Sequence, residues 1–350
     1  MSELVILGAG KLNSSLNSYA REFSEASSRK RIVIINSKDQ LKYLNSYETR
    51  VQKGLFKAIP GNGWAFNNIF GKVIFRKLAA ELREVPIHYT TFGLPIPRKR
   101  ETDLVTIHDL FFLDGGDEAS GRIFNISKFL LDRFVSFENV IVPSQYVKNQ
   151  LRSYGFTGRI DVVYIPVPAE FYPIPNKSET RKKLGLPLDK ILILSVSSAL
   201  KRKNLSVTRE TMNRMGKDFR LVRIGPGVGD SLTFVDVSRE KMNLIYNSCD
   251  VLLFPSLAEG FGKPVIEAFS TGLPTVVSDI EVMHEVSGDA SIFVEPTTEG
   301  CVEGLKSALS LSNTLREKGF KRAERFSREL FKKQVNDIYL RVENQSLNRN

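Results

Sequence analysis

Two glutamates near a glycine-containing loop are the residues in this chain whose spacing best fits a chemical role. Glu259 precedes a predicted helix and Glu267 lies one turn inside it, with Gly260 and Gly262 between them. Glycine leaves backbone N–H groups open to a close ligand, and a helix N-terminus favours phosphate. Carboxylates bind hydroxyls, so the pattern fits a sugar diphosphate. It fits equally a surface loop before a helix whose glutamates favour its dipole.

The residues around the two glutamates predict one strand–loop–helix–strand unit. Val251–Phe254 is an unbroken apolar run, as in strands covered on both faces. Pro264 suits the first turn of a helix, and Gly272 followed by Pro274 ends it, before the next strand at Thr275–Val277. The loop of such a unit lies at the carboxyl edge of the sheet, where open α/β sheets bind ligands.

This segment resembles the donor-site signature of glycosyltransferase family 4, which comprises retaining enzymes of the GT-B fold. The family motif reads Pro-Ser-x-x-Glu-Gly-Phe-Gly-x-Pro-x-x-Glu-Ala and is followed by Gly-x-Pro. The ungapped match comprises Pro255, Ser256, Glu259, Gly260, Phe261, Gly262, Pro264, Glu267, Ala268, Gly272 and Pro274. The resemblance implies that Glu259 holds sugar hydroxyls and Glu267 ribose hydroxyls. It also places Gly260, Phe261 and Gly262 in the donor site.

A basic segment upstream resembles the family's Arg-Lys-Asn-Leu sequence. By that resemblance Lys203, with Arg202 beside it, binds the donor diphosphate. The family's usual glycine at this turn is Ser197 here, and a position often held by a second phosphate-binding arginine is Ser198. Ser198 retains one hydrogen-bond donor, so the number of cationic contacts stays open. Two further segments are expected to flank the nucleobase, 223–225 and 235–237.

A glycine pair follows the first predicted strand. Gly8 and Gly10 would begin a dinucleotide fingerprint, but the third glycine position is Asn13 and the acidic position is occupied by Asn36. The pattern therefore makes a poor NAD site. The resemblance implies instead a turn close to the donor phosphates and the acceptor.

A histidine–aspartate step ends a predicted strand in the N-terminal half. Family 4 often carries such a step facing the cleft, which makes His108 a candidate contact to the transferred sugar or the reacting oxygen. A lone histidine at a strand end is more often structural than functional. The expected catalytic residues are thus His108, Glu259 and Lys203.

Short apolar runs alternate with helical patterns along all 350 residues, which predicts an α/β protein with parallel sheets. The proline-rich segment Pro166–Pro187 divides the chain, because prolines at this density break helices and strands. The expected strands are Leu4–Leu7, Ile32–Ile35, Leu104–Ile107, Val140–Val142, Val162–Ile165, Ile191–Val196, Leu221–Ile224, Val251–Phe254, Thr275–Val277 and Ile292–Val294.

With the resemblance, the expected architecture is GT-B: two Rossmann-like α/β/α domains facing a central cleft. Residues 1–165 would bind the acceptor and residues 166–326 the nucleotide-sugar donor. Residues 327–350 would form a helix that crosses back to the N-terminal domain.

The charge and the hydrophobic pattern of the sequence limit the classes of partner that the chain is expected to bind. The formal net charge of +11 favours anionic partners, but the basic residues lack interleaved aromatics, so nucleic acid is not expected. No apolar run reaches the roughly 20 residues of a transmembrane helix, and residues 2–7 follow no basic n-region, so a signal peptide is not expected. We expect a cytoplasmic enzyme, either free or held on an anionic membrane through the basic loop Arg98–Arg100.

No cofactor is expected. The sequence contains three histidines, the two cysteines Cys249 and Cys301, and no Asp-x-Asp. These residues do not assemble a zinc cluster or a metal clamp for a diphosphate, and the cysteines are expected to be reduced core residues.

The expected reaction is transfer of a sugar, with retention, from a nucleotide-diphosphate sugar to a hydroxyl acceptor such as a glycan or lipid-linked glycan. This is chemistry of the hexosyltransferase type. Two alternatives stay open: a nucleotide-sugar epimerase or phosphorylase of the same fold, and a non-catalytic nucleotide-sugar-binding protein.

Overall fold

The chain folds into two compact α/β units. The computed structural model describes residues 4–7, 22–23, 25–26, 31–35, 48–51, 86–90, 102–111 and 137–347. The first unit comprises Met1–Pro143, Val147–Tyr164 and Glu329–Asn350, and the second comprises Ser144–Tyr146 and Ile165–Arg328. Each unit contains one parallel sheet, as the apolar runs predict.

The sheet of the first unit has seven described strands in the order β3-β2-β1-β4-β5-β6-β7. All neighbouring strands are parallel. The strands are β1 (Leu4–Leu7), β2 (Arg31–Ile35), β3 (Glu48–Val51), β4 (Ile87–Tyr89), β5 (Leu104–Thr106), β6 (Asn139–Val142) and β7 (Arg159–Val162).

The expected strand at Val162–Ile165 is wrong by three residues. In the structure β7 ends at Val162, which is paired with Val142, the last residue of β6. Pro143 follows β6 and has no N–H to donate, so the partner strand stops there. The apolar run continues past the point where pairing is possible.

A long helix packs on the sheet of the first unit. Two helices belong mainly to the first unit, α1 (Gln145–Ser153) and α9 (Arg328–Leu347). Phe331, Val335, Ile338 and Val342 recur at helical spacing along α9. They form one buried cluster with residues of β5 and β6. Burying one aliphatic or aromatic side chain contributes about 1.5–3 kcal/mol, so this face holds α9 to the unit.

The sheet of the second unit has six strands in the order β10-β9-β8-β11-β12-β13, all parallel. This is the 3-2-1-4-5-6 order of a Rossmann fold. The strands are β8 (Ile191–Val196), β9 (Phe219–Ile224), β10 (Leu232–Phe234), β11 (Val251–Phe254), β12 (Thr275–Ser278) and β13 (Ile292–Val294). The helices are α2 (Lys177–Leu184), α3 (Leu205–Met215), α4 (Arg239–Ser248), α5 (Lys263–Thr271), α6 (Glu281–Ser287), α7 (Thr298–Ser310) and α8 (Ser312–Ala323).

The proline-rich segment is more ordered than its composition predicts. Helix α2 lies between Pro175 and Pro187, where eleven consecutive residues contain no proline. The Asn176 side chain caps it by accepting the Glu179 N–H, and Gly185 ends it in the left-handed conformation. Local capping therefore outweighs the breaking effect of the flanking prolines.

Among the residues that the structure describes, no helix is long and apolar enough to cross a membrane. The basic loop Arg98–Arg100 lies outside those residues, so contact with an anionic membrane stays a prediction. Cys249 and Cys301 are both buried and unbridged.

The buried histidine of β4 provides a test of the first unit's packing. His88 is fully buried, its Nδ1 lies 2.8 Å from the Tyr339 hydroxyl of α9, and its Nε2 lies 2.8 Å from the Thr106 hydroxyl. Burial, and then the charge of His108, lowers the pKa of His88 to about 3. The pKa of this histidine in the unfolded chain is 6.5. As pH falls below 6.5, the unfolded chain therefore takes up a proton at His88 that the folded chain does not bind until about pH 3.

We expect this one group to lower the free energy of unfolding by about 1.4 kcal/mol per pH unit below 6.5. Urea unfolding of wild type and His88→Gln between pH 7.5 and 4.5 measures the effect, and the stability gap between them should narrow as pH falls. His284→Gln replaces an exposed histidine and serves as the control. Parallel curves for wild type and His88→Gln would contradict the assignment.

Candidate functional site

The two segments singled out by the sequence follow neighbouring strands of the second sheet. Strands β8 and β11 are paired, although β9 and β10 separate them along the chain. The strand order therefore reverses between them, which creates the crevice where open α/β sheets bind ligands. The Leu257 N–H donates to the Arg202 carbonyl at 2.7 Å and ties the two loops together.

A tight turn presents the basic residues at this edge. Lys201–Lys203 form one 3-10 turn, and Asn204 ends it with a left-handed backbone (φ 55°). The Asn204 side chain donates to the Pro296 carbonyl at 2.9 Å, which fixes the turn against the segment after β13. Arg202 and Lys203 are thus held on a braced turn.

The structure brings three of the predicted site residues together. The Lys203 ammonium is hydrogen-bonded to Oε1 of Glu259, and an Arg202 guanidinium nitrogen lies 3.4 Å from Oε2. The same nitrogen of Arg202 donates to the Ala258 carbonyl at 3.2 Å. The Glu259 and Lys203 side chains are only 9% and 12% exposed. Two cations therefore converge on one carboxylate, and an incoming phosphate would compete with Glu259 for them.

The glycine loop is shaped by its backbone. Gly262 immediately precedes α5 with a φ of 96°, which L residues rarely adopt. A Cβ at this position would lie 2.5 Å from the Met283 methyl. The Ser144 hydroxyl donates to the Gly260 carbonyl at 2.7 Å. Pro264 occupies the first turn of α5 and Gly272 ends it, which confirms the predicted helix.

Phe261 is an anchor of this loop. It is 4% exposed, and its ring packs edge-on against Phe326 with centroids 5.6 Å apart. Its side chain thus stabilises the loop from within the unit, and its place in donor binding stays a prediction.

Glu267 is a buried carboxylate with a partner that sequence reasoning missed. The Tyr246 hydroxyl of α4 donates to Oε2 at 2.8 Å, and the Lys263 ammonium lies 3.8 Å from Oε1. Burial raises the pKa of Glu267, although the charge of Lys263 lowers it. Phe171 packs edge-on against the tyrosine ring with centroids 5.2 Å apart. An aromatic residue with a polar tip near the end of the helix before β11 was the available signal.

The structure gives no site contact for the other residues that the sequence predicts to bind the donor. Ser198 is exposed in the loop after β8. Gly8 and Gly10 lie outside the described residues. Within the part of the chain that is described, no group of three or more histidine, cysteine, aspartate or glutamate side chains could hold a metal ion.

His108 lies in the first unit and follows β5 directly. Its Nε2 donates to the Thr90 carbonyl at 2.7 Å, which fixes the tautomer with Nδ1 as an acceptor. Burial lowers the pKa of His108 to about 4. The ring is therefore neutral at pH 7.

Residues 176–328 match the family model described as glycosyl transferases group 1. This range corresponds closely to the second unit. A curated relative, the O-antigen chain mannosyltransferase RfbU of Salmonella typhimurium, is 41% identical over 71 residues, which cover 20% of this chain and 20% of that protein. The chain thus matches about a fifth of that relative's length.

Solved structures match almost the whole chain. Sucrose-phosphate synthase from Thermosynechococcus elongatus has a TM-score of 0.81 at 18% identity, over 99% of this chain and 100% of that chain. HepE of Anabaena in complex with UDP-glucose has a TM-score of 0.73 at 13% identity, over 96% of this chain and 99% of that chain. The predicted GT-B fold of two Rossmann-like domains is confirmed.

The burial of the Glu267 carboxylate predicts that its negative charge destabilises the second unit. Glu267→Gln should stabilise the second unit at pH 8, because burial raises the pKa of Glu267 and ionisation therefore costs free energy in the fold. The protonated form contributes stability that is lost as pH rises through this raised pKa, and an amide loses no proton. The amide oxygen can still accept the Tyr246 hydroxyl.

Thermal unfolding at pH 4.5 and pH 8 measures this effect. The midpoint gain should be larger at pH 8, where each kcal/mol corresponds to about 2–4 °C. Glu317→Gln changes an exposed glutamate of the same unit and should leave both midpoints in place. A lower midpoint for Glu267→Gln at pH 8 would show that the ionised carboxylate is stabilising.

Proposed function

We propose that this chain is a retaining glycosyltransferase that moves a hexose from a nucleotide-diphosphate sugar to a hydroxyl of a glycan acceptor. The observation that carries the proposal is the convergence of Lys203 and Arg202 on Glu259 at the switch point of the second sheet. This edge supplies cations for a diphosphate and a carboxylate for hydroxyls within one contact distance. The family model over residues 176–328 and the mannosyltransferase relative support the same reading.

The difficult step is departure of the nucleoside diphosphate. In this proposal the bond between the anomeric carbon and the phosphate oxygen breaks, and negative charge grows on that oxygen. Lys203 and Arg202 leave Glu259 and contact the diphosphate, with N–H groups near Gly262 at the start of α5 beside them. Preorganised charges of this kind are commonly the largest catalytic contribution.

Glu259 changes partners in the same step. Once the cations bind phosphate, its carboxylate is released to accept hydrogen bonds from sugar hydroxyls. The acceptor oxygen then bonds to the anomeric carbon on the face that the diphosphate leaves, and the departing phosphate oxygen takes the acceptor's proton. This donor-assisted route requires no covalent protein nucleophile and retains the anomeric configuration.

Glu267 and His108 have supporting roles in the proposal. Glu267 accepts the ribose hydroxyls, with Tyr246 fixing one of its oxygens. His108 is neutral, so it contacts the transferred sugar or the reacting oxygen as a hydrogen-bond acceptor at Nδ1 and does not act as an acid at pH 7.

Two variants separate the proposed binding and catalytic roles. Lys203→Ala should weaken a nucleoside diphosphate about tenfold or more, because a hydrogen bond to a charged group contributes about 1.5–3 kcal/mol. Glu259→Gln should retain or tighten that affinity, because it removes an anion that competes for the cations, while sugar transfer is lost. Calorimetry with UDP, GDP and ADP measures binding, and release of nucleoside diphosphate from the corresponding sugars measures turnover.

Lys201→Ala is the matched control, since Lys201 is an exposed lysine of the same turn. It should leave affinity within about twofold of wild type. Equal affinities for wild type and Lys203→Ala would refute the diphosphate assignment, and a Glu259→Gln variant with full turnover would refute the role of the carboxylate.

We also propose that turnover does not require a divalent metal, because the site supplies its own cations. Activity measured after dialysis against EDTA should equal that of the untreated enzyme. Loss of activity that Mg²⁺ or Mn²⁺ restores would show that a metal neutralises the diphosphate.

A further inference from the structure

One arginine of the second sheet is completely enclosed. Arg223, the penultimate residue of β9, has no exposed surface. Its guanidinium donates to the Ser195 hydroxyl at 2.9 Å and to the Ser197 hydroxyl at 3.1 Å. It also donates to the carbonyls of Ser197 at 2.8 Å and Pro226 at 3.1 Å. All four acceptors are neutral.

A second buried arginine in the same unit shows the usual arrangement. Arg181 is 6% exposed and forms a 2.7 Å ion pair with Asp250, next to the start of β11. Among the described residues, no carboxylate lies within 4.0 Å of the Arg223 guanidinium. A buried charge without a counter-charge is costly, so the arrangement at Arg223 calls for another explanation.

The position of Arg223 supplies one. Ser195 is its register partner on β8, and both lie at the carboxyl ends of their strands. The guanidinium therefore sits under the edge that carries the turn at Lys203 and the loop at Glu259. By holding Ser197 and Pro226 it also fixes the loops that follow β8 and β9. Burial lowers the pKa of Arg223 to about 10, so the group is still a cation at pH 7.

We propose that Arg223 is a positioning residue whose uncompensated charge, acting through the Ser197 turn, stabilises the diphosphate of the bound nucleotide. The ligand then supplies the counter-charge that no described residue provides within 4.0 Å of the guanidinium. This inference rests on the proposed function. It assigns a third cation to the donor site, behind Lys203 and Arg202, at a residue that does not touch the solvent.

The test compares ligands that differ only in the diphosphate. UDP, GDP and ADP are titrated into the full chain by calorimetry, and the one that binds is compared with its own nucleoside. Arg223→Met removes the charge at similar volume, Arg223→Lys retains it, and Arg220→Met removes one charge from a partly exposed residue of the same strand. A unit charge acting over about 10 Å at an effective dielectric of about 20 changes a binding constant about tenfold.

We expect Arg223→Met to weaken the nucleoside diphosphate about tenfold and the nucleoside less than twofold. Arg223→Lys and Arg220→Met should both keep the ratio of the two affinities within threefold of wild type. If Arg223→Met does not fold, Arg223→Lys decides, and a tenfold fall in its ratio overturns the role of the charge.

Other outcomes are equally decisive. Unchanged diphosphate affinity in a folded Arg223→Met variant, or equal weakening of both ligands, would leave Arg223 a structural residue while the proposed function stands. Failure of wild type to bind any of the three nucleoside diphosphates would refute the proposed function itself, and this inference with it.

Discussion

The contact of Lys203 and Arg202 with Glu259 is the interaction on which the account of this molecule depends. Long basic side chains lose rotamer entropy when they are held in one place, and only a carboxylate or a phosphate compensates their charge at close range. The Glu259 carboxylate does so in the structure. Removing one member of a buried ion pair typically costs about 3–5 kcal/mol, because it leaves the other charge without compensation inside the fold.

The scaffold around this cluster is built to hold charge at one edge. The left-handed Asn204 ends the basic turn, and the left-handed Gly262 begins the helix opposite. A hydrogen bond from Leu257 to Arg202 joins the two segments. Deeper in the unit, Glu267 and Arg223 are buried ionisable groups whose pKa values are both shifted against their charged forms. A fold optimised for stability alone would not require either of them, which is the pattern expected of a binding site.

The sequence predicted the strands that are covered on both faces, because apolar β-branched runs leave few alternatives. It did not predict the edge strands Glu48–Val51 and Leu232–Phe234, because short sequences that mix polar and apolar residues are shared by many loops. The end of β7 depends on where its partner stops at Pro143, which no local pattern contains. In the site, Glu259 and Lys203 followed from a resemblance between motifs. Residues 223–225 are expected beside the nucleobase from the sequence, whereas the enclosure of the Arg223 side chain and the contact of Tyr246 with Glu267 are formed only by the fold.

A crystal structure of the chain with a bound nucleoside diphosphate tests the central claim most directly. We predict the diphosphate between the loops after β8 and β11, with the Lys203 ammonium on a phosphate oxygen and no longer on Glu259. We also predict the ribose hydroxyls on Glu267. A nucleotide bound at another edge, or a Lys203–Glu259 pair that persists beside the bound diphosphate, would contradict this claim.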